Sequence, residues 1–318
     1  MPSAEVISIA LPYLALALGL LCAAGGGDLF VRGAVGIARA ARVAPGVIAA
    51  TVAAFATSSP ELTVAVQSAL AGEPEISLGD ALGSNIANIA LIFGVALLFG
   101  PLAVIRNQVT RDFAVAAATP VALSVVLVDG SLSRPEAAAL LSGFVLWFAR
   151  VTLEAIEQRR SAAAQQQTSS GFLRALVDGS IGIGLLVAAG NFIVYGAGEI
   201  ARRLGLSDFI IGETLVAVGT STPELATALM ARIRRQDDVG FGALLGSNIF
   251  NGLFIIGVAG AITPIRTSEL EAAPALIASL ISLALVYPPR NGVYRPWRGV
   301  ALLAVYGAYL AAVIASGS

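Results

Sequence analysis

Slid along itself by 163 positions (194 − 31 = 163), the chain superimposes residues 31–101 on 194–264 without a gap, and more than a third of the aligned positions are identical. The match is densest in two short motifs. Thr57-Ser58-Ser59-Pro60-Glu61 aligns with Thr220-Ser221-Thr222-Pro223-Glu224, and Gly83-Ser84-Asn85-Ile86-Ala87-Asn88 aligns with Gly246-Ser247-Asn248-Ile249-Phe250-Asn251. Gly94 and Pro101 align with Gly257 and Pro264. Solenoids and propellers also repeat, but they need three or more units at a shorter period. A duplication on this scale makes each half build the same substructure.

The medium follows from composition: of 318 residues, 57% are apolar and 12% charged, the balance of a polytopic membrane protein. A spanning helix needs about 20 mostly apolar residues. Ten segments qualify: 5–38, 45–71, 76–100, 112–129, 134–157, 172–203, 208–232, 238–263, 270–287 and 297–315. The first and sixth are long enough to require tilt or a bend. The N-terminal stretch lacks the basic start of a signal peptide, with Glu5 as its only early charge, and is expected to be a retained first helix.

Polar residues 157–171 separate the halves, so the expected organisation is a first unit at 1–157, a short cytoplasmic linker at 158–171 and a second unit at 172–318. Five spans per half is an odd number, so the second half enters the membrane from the opposite side. The expected fold class is therefore an all-α polytopic membrane protein of about ten transmembrane helices in two inverted five-helix repeats. Inverted repeats are the usual architecture of secondary transporters, with the site near the midplane where helices are interrupted.

Arginine is unevenly shared among the loops. Most of it, from Arg39 and Arg42 through Arg106, Arg150, Arg159 and Arg160 to Arg295 and Arg298, follows helices 1, 3, 5, 7 and 9; the other side holds Arg134, Arg202, Arg203 and Arg266. By the positive-inside rule both termini are non-cytoplasmic, in a cell inner (plasma) membrane. These arginines form no contiguous patch, so no nucleic acid is expected as a partner.

There is no histidine, all 19 Lys+Arg residues are arginine, and Cys22 is the one cysteine, so a metal site must be built from oxygen. Oxygen-only sites suit hard cations such as Ca²⁺, Mg²⁺ and Na⁺. Thr57 and Glu61 are four apart, as are Ser84 and Asn88, so each pair shares a helix face. Thr220/Glu224 and Ser247/Asn251 repeat the pattern. Pro60 and Pro223 interrupt apolar spans and free the carbonyls of Ala56 and Gly219, which is tolerated at membrane depth beside protein or water.

Glu61 and Glu224 are the central observation, because a mid-membrane carboxylate costs from about 2.5 to more than 10 kcal/mol. One divalent ion neutralises both, and so do two monovalent ions or two protons. That equivalence is a chemical basis for exchange. Asp28, Asp80, Glu199 and Glu213 also lie in or near spans but lack strict partners; for Asp28 and Glu199 an access path, capping or an interfacial role would each account for the charge. With no His, no HExxH and no Gly-rich nucleotide loop, the chain is not expected to be an enzyme.

At ATSSPE plus GSNIAN in one half and GTSTPE plus GSNIFN in the other, the chain resembles the cation/Ca²⁺ exchanger superfamily, specifically bacterial sodium/calcium exchanger-like proteins. The resemblance implies Ca²⁺ held between Glu61 and Glu224 with help from Thr57 and Thr220. It implies flanking Na⁺ positions at Thr57, Ser84 and the carbonyl of Ala54, and at Thr220, Ser247 and the carbonyl of Ala217. Ser58, Ser221, Asn88 and Asn251 complete the candidate ligand set. It further implies Ca²⁺/Na⁺ antiport by sliding of helices 1 and 6. No cofactor and no obligate protein partner are expected, and the lipid bilayer is the surroundings.

Two positions depart from the family pattern. Ala56 replaces a usual Gly, and Asn251 stands where an Asp is frequent. Asn coordinates through its carbonyl but does not titrate, so H⁺ is retained as an alternative counter-ion and K⁺ co-transport is disfavoured.

Overall fold

The computed structural model describes residues 4–162, 171–203, 221–267 and 269–316. The long apolar runs form helices that bury polar side chains inward and leave large apolar residues such as Leu21, Leu146 and Leu173 on the outside, as a lipid-embedded bundle requires.

Helix α1 (Ala4–Ala41) and helix α7 (Phe172–Arg203), with 38 and 32 residues, exceed one membrane thickness. They lie antiparallel along a seam of small residues. On α1, Gly19, Gly26 and Gly33 recur every seventh position. A Cβ on Gly33 would fall 2.4 Å from Gly179 Cα, and one on Gly182 would fall 2.5 Å from the amide nitrogen of Phe30. In lipid, where apolar burial gives helices no mutual attraction, such close backbone approach is a main source of association.

Helix α2 (Pro45–Thr57) and helix α3 (Ser59–Ala71) form one apolar stretch bent by 45°. Helix α4 (Pro74–Leu98) and, in the second half, helix α9 (Asp237–Ile262) are the innermost elements. Each contains a π-helical segment, Ala87–Phe93 in α4 and Phe250–Ile255 in α9. Helix α8 (Thr222–Ile233) precedes α9. Helices α5 (Arg106–Val126), α6 (Arg134–Ala162), α10 (Glu269–Leu285) and α11 (Pro296–Ser316) pack around this centre.

Charge inside the α5/α6 contact is neutralised locally. Arg111 pairs with Asp112 and Glu154, each at 2.6 Å, and the Trp147 indole donates to Asp112 Oδ1 at 3.2 Å.

Two short antiparallel ladders mark the ends of the bundle. Strand β1 (Leu102–Ala103) pairs with β4 (Val293–Tyr294), and β2 (Ser131–Leu132) pairs with β3 (Ile265–Arg266). At the first end Arg232 Nη2 donates to the Pro101 carbonyl at 2.7 Å, and Asp238 Oδ1 accepts from the Ile105 amide at 2.8 Å. Tyr294 there donates its hydroxyl to the Val286 carbonyl at 3.0 Å, and burial pushes its phenol pKa up. At the other end Thr263 donates to the Ala69 carbonyl at 2.8 Å. The first end is the arginine-rich one.

Several boundaries differ from expectation. Among the described residues seven helices are long and apolar enough to cross a membrane alone, and the bent α2/α3 pair makes an eighth. Helices α8 and α10 are shorter, and 208–220, the first part of the expected seventh helix, lies outside the described residues. Helix α6 continues through Ala162, beyond the expected end at 157, because Glu157, Gln158, Arg159 and Arg160 are good helix formers once apolarity is no longer needed. The short ladders were not expected at all; they consist of loop residues whose backbone groups pair across neighbouring loops.

Candidate cation site

Both Ser-x-Pro-Glu-type motifs are folded alike. Ser58 (φ −87°, ψ 16°) and Ser221 (φ −82°, ψ 5°) each stand just before a helix whose second residue is proline. The expectation that Pro60 and Pro223 break a continuous helix is refined here: each sits in the first turn of a new helix, where a missing N–H costs nothing because those donors have no intrahelical acceptor. Glu61 and Glu224 therefore occupy first turns. The positive end of the helix dipole favours a carboxylate there.

The bend also changes which residues meet. Thr57 and Glu61 were expected to share a helix face; across the halves, Ser58 Oγ reaches Glu224 Oε1 at 3.1 Å and Ser247 Oγ at 3.0 Å, while Ser247 Oγ reaches the same carboxylate oxygen at 3.3 Å. Thr57 also faces Glu224 and donates to the Ala54 carbonyl at 3.3 Å. The Ser58 amide donates to that carbonyl too, at 3.0 Å. Ala54 O thus has two donors in this conformation.

The corresponding trio around Glu61 is not closed. Ser221 Oγ, Ser84 Oγ and Glu61 Oε2 are buried without a hydrogen-bond partner among the described residues, and so are Glu224 Oε2, Asn88 Oδ1 and both amide atoms of Asn251. Glu61 and Glu224 are only 1% and 2% exposed. A buried polar atom without a partner costs about 1–3 kcal/mol, and more when charged. A concentration of such atoms around two carboxylates fits a hard cation. No group of three or more Asp, Glu, His or Cys residues among the described residues surrounds one point, so the donor set is two carboxylates plus hydroxyl and amide oxygens.

The motif asparagines that spacing left without a role form the brace of the site. Asn85 Nδ2 donates to the Asn248 carbonyl at 3.2 Å, and Asn248 Nδ2 donates to the Asn85 carbonyl at 3.0 Å. Asn88 Nδ2 adds a bond to Asn248 Oδ1 at 3.0 Å. Asn88 and Asn251 both fall in the π-helical segments, which are rare and concentrate at functional sites.

Of the other expected residues, Ala217, Thr220 and Glu213 lie outside the described residues. Asp28 pairs with Arg32 at 2.8 Å and with Arg234, tying α1 to the end of α8. Glu199 pairs with Arg203 at 3.4 Å. Asp80, in contrast, has a buried Oδ2 without a hydrogen-bond partner among the described residues.

A helical membrane bundle with buried carboxylates in helices restarted at its centre defines a membrane transport protein. The family model described as sodium/calcium exchanger protein matches residues 11–153 and 180–315, and the chain belongs to that family. The chain is 36% identical to the putative antiporter CaxA of Alkalimonas amylolytica over 78% of its own length and 79% of the relative's. It is 28% identical to the sodium/calcium exchanger MaX1 of Methanosarcina acetivorans, over 95% of this chain and 98% of the relative. Among solved structures, the sodium-calcium exchanger NCX_Mj soaked with Na⁺ and Sr²⁺ superimposes with a TM-score of 0.82 at 30% identity, covering 95% of this chain and 98% of that one.

Proposed function

We propose that this protein is a secondary-active antiporter that exchanges Ca²⁺ for Na⁺ by alternating access, with Glu61 and Glu224 as the central ligands. The observation that carries the reading is the pair of almost fully buried glutamates, one from each half, each with a carboxylate oxygen lacking a partner among the described residues. Ca²⁺ balances both charges. Without a cation the doubly negative site is costly in the membrane, so reorientation is coupled to loading. Ser58, Ser84, Ser221, Ser247, Asn88, Asn251, Thr57 and Thr220 complete the shell, together with the carbonyls of Ala54 and Ala217.

The same reading takes the architecture as ten helices in two inverted repeats, 1–157 and 172–318, in a cell inner membrane with both termini non-cytoplasmic. It is supported by the antiparallel α1 and α7, by the reciprocal Asn85/Asn248 bonds at repeat-related positions, and by the arginine-rich end beside β1 and β4.

The test is Ca²⁺ uptake into proteoliposomes under Na⁺ and H⁺ gradients imposed separately. Na⁺-driven uptake is expected. Uptake driven by the pH gradient alone would transfer the counter-ion role to H⁺, an outcome that the amide at Asn251 makes worth measuring, and gradient-independent flux would make the protein a channel.

A further inference from the structure

We propose that Asp80 is a third carboxylate of the cation path, which sets the affinity for both ions through its charge while Glu61 and Glu224 supply direct ligation. The proposal rests on the exchange reading above and adds a residue to it.

Position comes first. Asp80, Ser84 and Asn88 occur at i, i+4 and i+8 on α4, which puts one oxygen-bearing side chain on successive turns of one stripe, the last within the π-helical segment. Helix α4 starts at Pro74, at the arginine-poor end of the bundle, so an ion approaching from that end meets Asp80 before Ser84. Asp80 is partly exposed, yet its Oδ2 is buried and has no hydrogen-bond partner among the described residues. The atoms below it on the stripe, Ser84 Oγ and Asn88 Oδ1, share that condition.

Charge comes second. Asp80 lies within electrostatic range of Glu61 and of Glu224, as those two lie within range of each other. No ion pair relieves Asp80 among the described residues, in contrast to Asp28, Asp112 and Asp237, each of which holds an arginine. Three mutually repelling carboxylates without a local cation are relieved by protons or by mobile cations that share their space. Since no three acidic groups among the described residues surround one point, Asp80 acts through its field and not as a third ligand beside the glutamates.

The repeat explains why this residue is easily overlooked. Its counterpart 163 positions on (80 + 163 = 243) is Ala243, buried at 2% exposure. The charge therefore belongs to one half only. It replaces in number, from another position, the carboxylate that Asn251 does not provide.

An ion's interaction with a fixed charge is proportional to its own valence, so removal of that charge shifts the logarithm of Ca²⁺ affinity twice as far as that of Na⁺ per ion. The experiment measures radioactive Ca²⁺ binding and its competition by Na⁺ on purified full-length protein, alongside proteoliposome flux. Asp80→Asn is expected to raise the half-saturating Ca²⁺ concentration about ten-fold and the per-ion Na⁺ constant about three-fold, and Asp80→Glu to restore both toward wild type. Unchanged constants, or equal fold-changes for the two ions, would overturn the role of Asp80. If Asp80→Asn does not purify as a monodisperse species, the same ratio is read on Asp80→Ala, the side chain the other half carries. Wild-type protein without Na⁺-driven flux would instead remove the exchange reading, so the two failures are distinct.

Discussion

Asn85 and Asn248 each donate a side-chain amide hydrogen to the other's main-chain carbonyl, at 3.2 and 3.0 Å. These bonds cross between α4 and α9, the two innermost helices, and the two asparagines are 7% and 5% exposed. Removing either side chain deletes a buried hydrogen bond to a main-chain carbonyl, at a cost of about 0.5–1.5 kcal/mol. Asn85→Ala and Asn248→Ala should each lower the thermal unfolding temperature in detergent. Because each bond ends on a main-chain carbonyl that the alanine variants keep, the losses should be close to additive in the double variant. Unchanged unfolding temperatures in both single variants would show that the two asparagines do not brace α4 against α9.

Glu61→Gln and Glu224→Gln are each expected to abolish Na⁺-driven Ca²⁺ exchange while leaving the protein folded, because the amide is isosteric but halves the charge available to a divalent ion. Flux and thermal stability measured on the same preparations separate the effects. Ca²⁺ exchange surviving in either variant would remove that glutamate from the site.

Asn251 is fully buried, and neither its amide nitrogen nor its carbonyl oxygen has a partner among the described residues. Asn251→Asp adds an ionisable group there, so transport should become more Na⁺-dependent and more sensitive to pH. Identical Na⁺ and pH profiles before and after the change would show that this position does not choose the counter-ion.

Gly83 and Gly246 hold the same place in the repeated motif, yet their surroundings differ. A Cβ on Gly246 would lie 2.2 Å from the Ala50 carbonyl oxygen of α2, whereas one on Gly83 would meet only the Tyr309 hydroxyl at 3.9 Å. Gly246→Ala should therefore impair folding or flux, and Gly83→Ala should be tolerated; expression level, monodispersity and Ca²⁺ uptake read both. Equal tolerance would mean that α2 and α9 can separate without loss.

The repeat made the two glutamates legible, since the same costly residue after the same Ser-x-Pro element in both halves admits few structural explanations. The cross-half contacts were less accessible. Spacing along one helix pairs Thr57 with Glu61, but the 45° bend at Ser58 joins the first half's hydroxyls to Glu224, and no local pattern encodes that bend angle. The Asn85/Asn248 brace lay in full view inside the motif without a signal separating it from the neighbouring Asn88 and Asn251. Asp80 was hidden for the opposite reason: comparing the halves highlights what they share, and at this position they differ. The π-helical segments Ala87–Phe93 and Phe250–Ile255 carry no residue signature that spacing or periodicity would reveal.

The glycine seam between α1 and α7 has a mechanical consequence. Where side chains interlock, axial displacement requires each knob to leave its hole and change rotamer. Where main chain rests on main chain, as at Gly33 against Gly179 and Gly182 against Phe30, there is nothing to unlatch. The seam also takes side chains, Ile193 over Gly19 and Leu185 over Gly26, so the two longest helices are joined closely along their length, and the Asp28 to Arg234 ion pair anchors α1 to the end of α8.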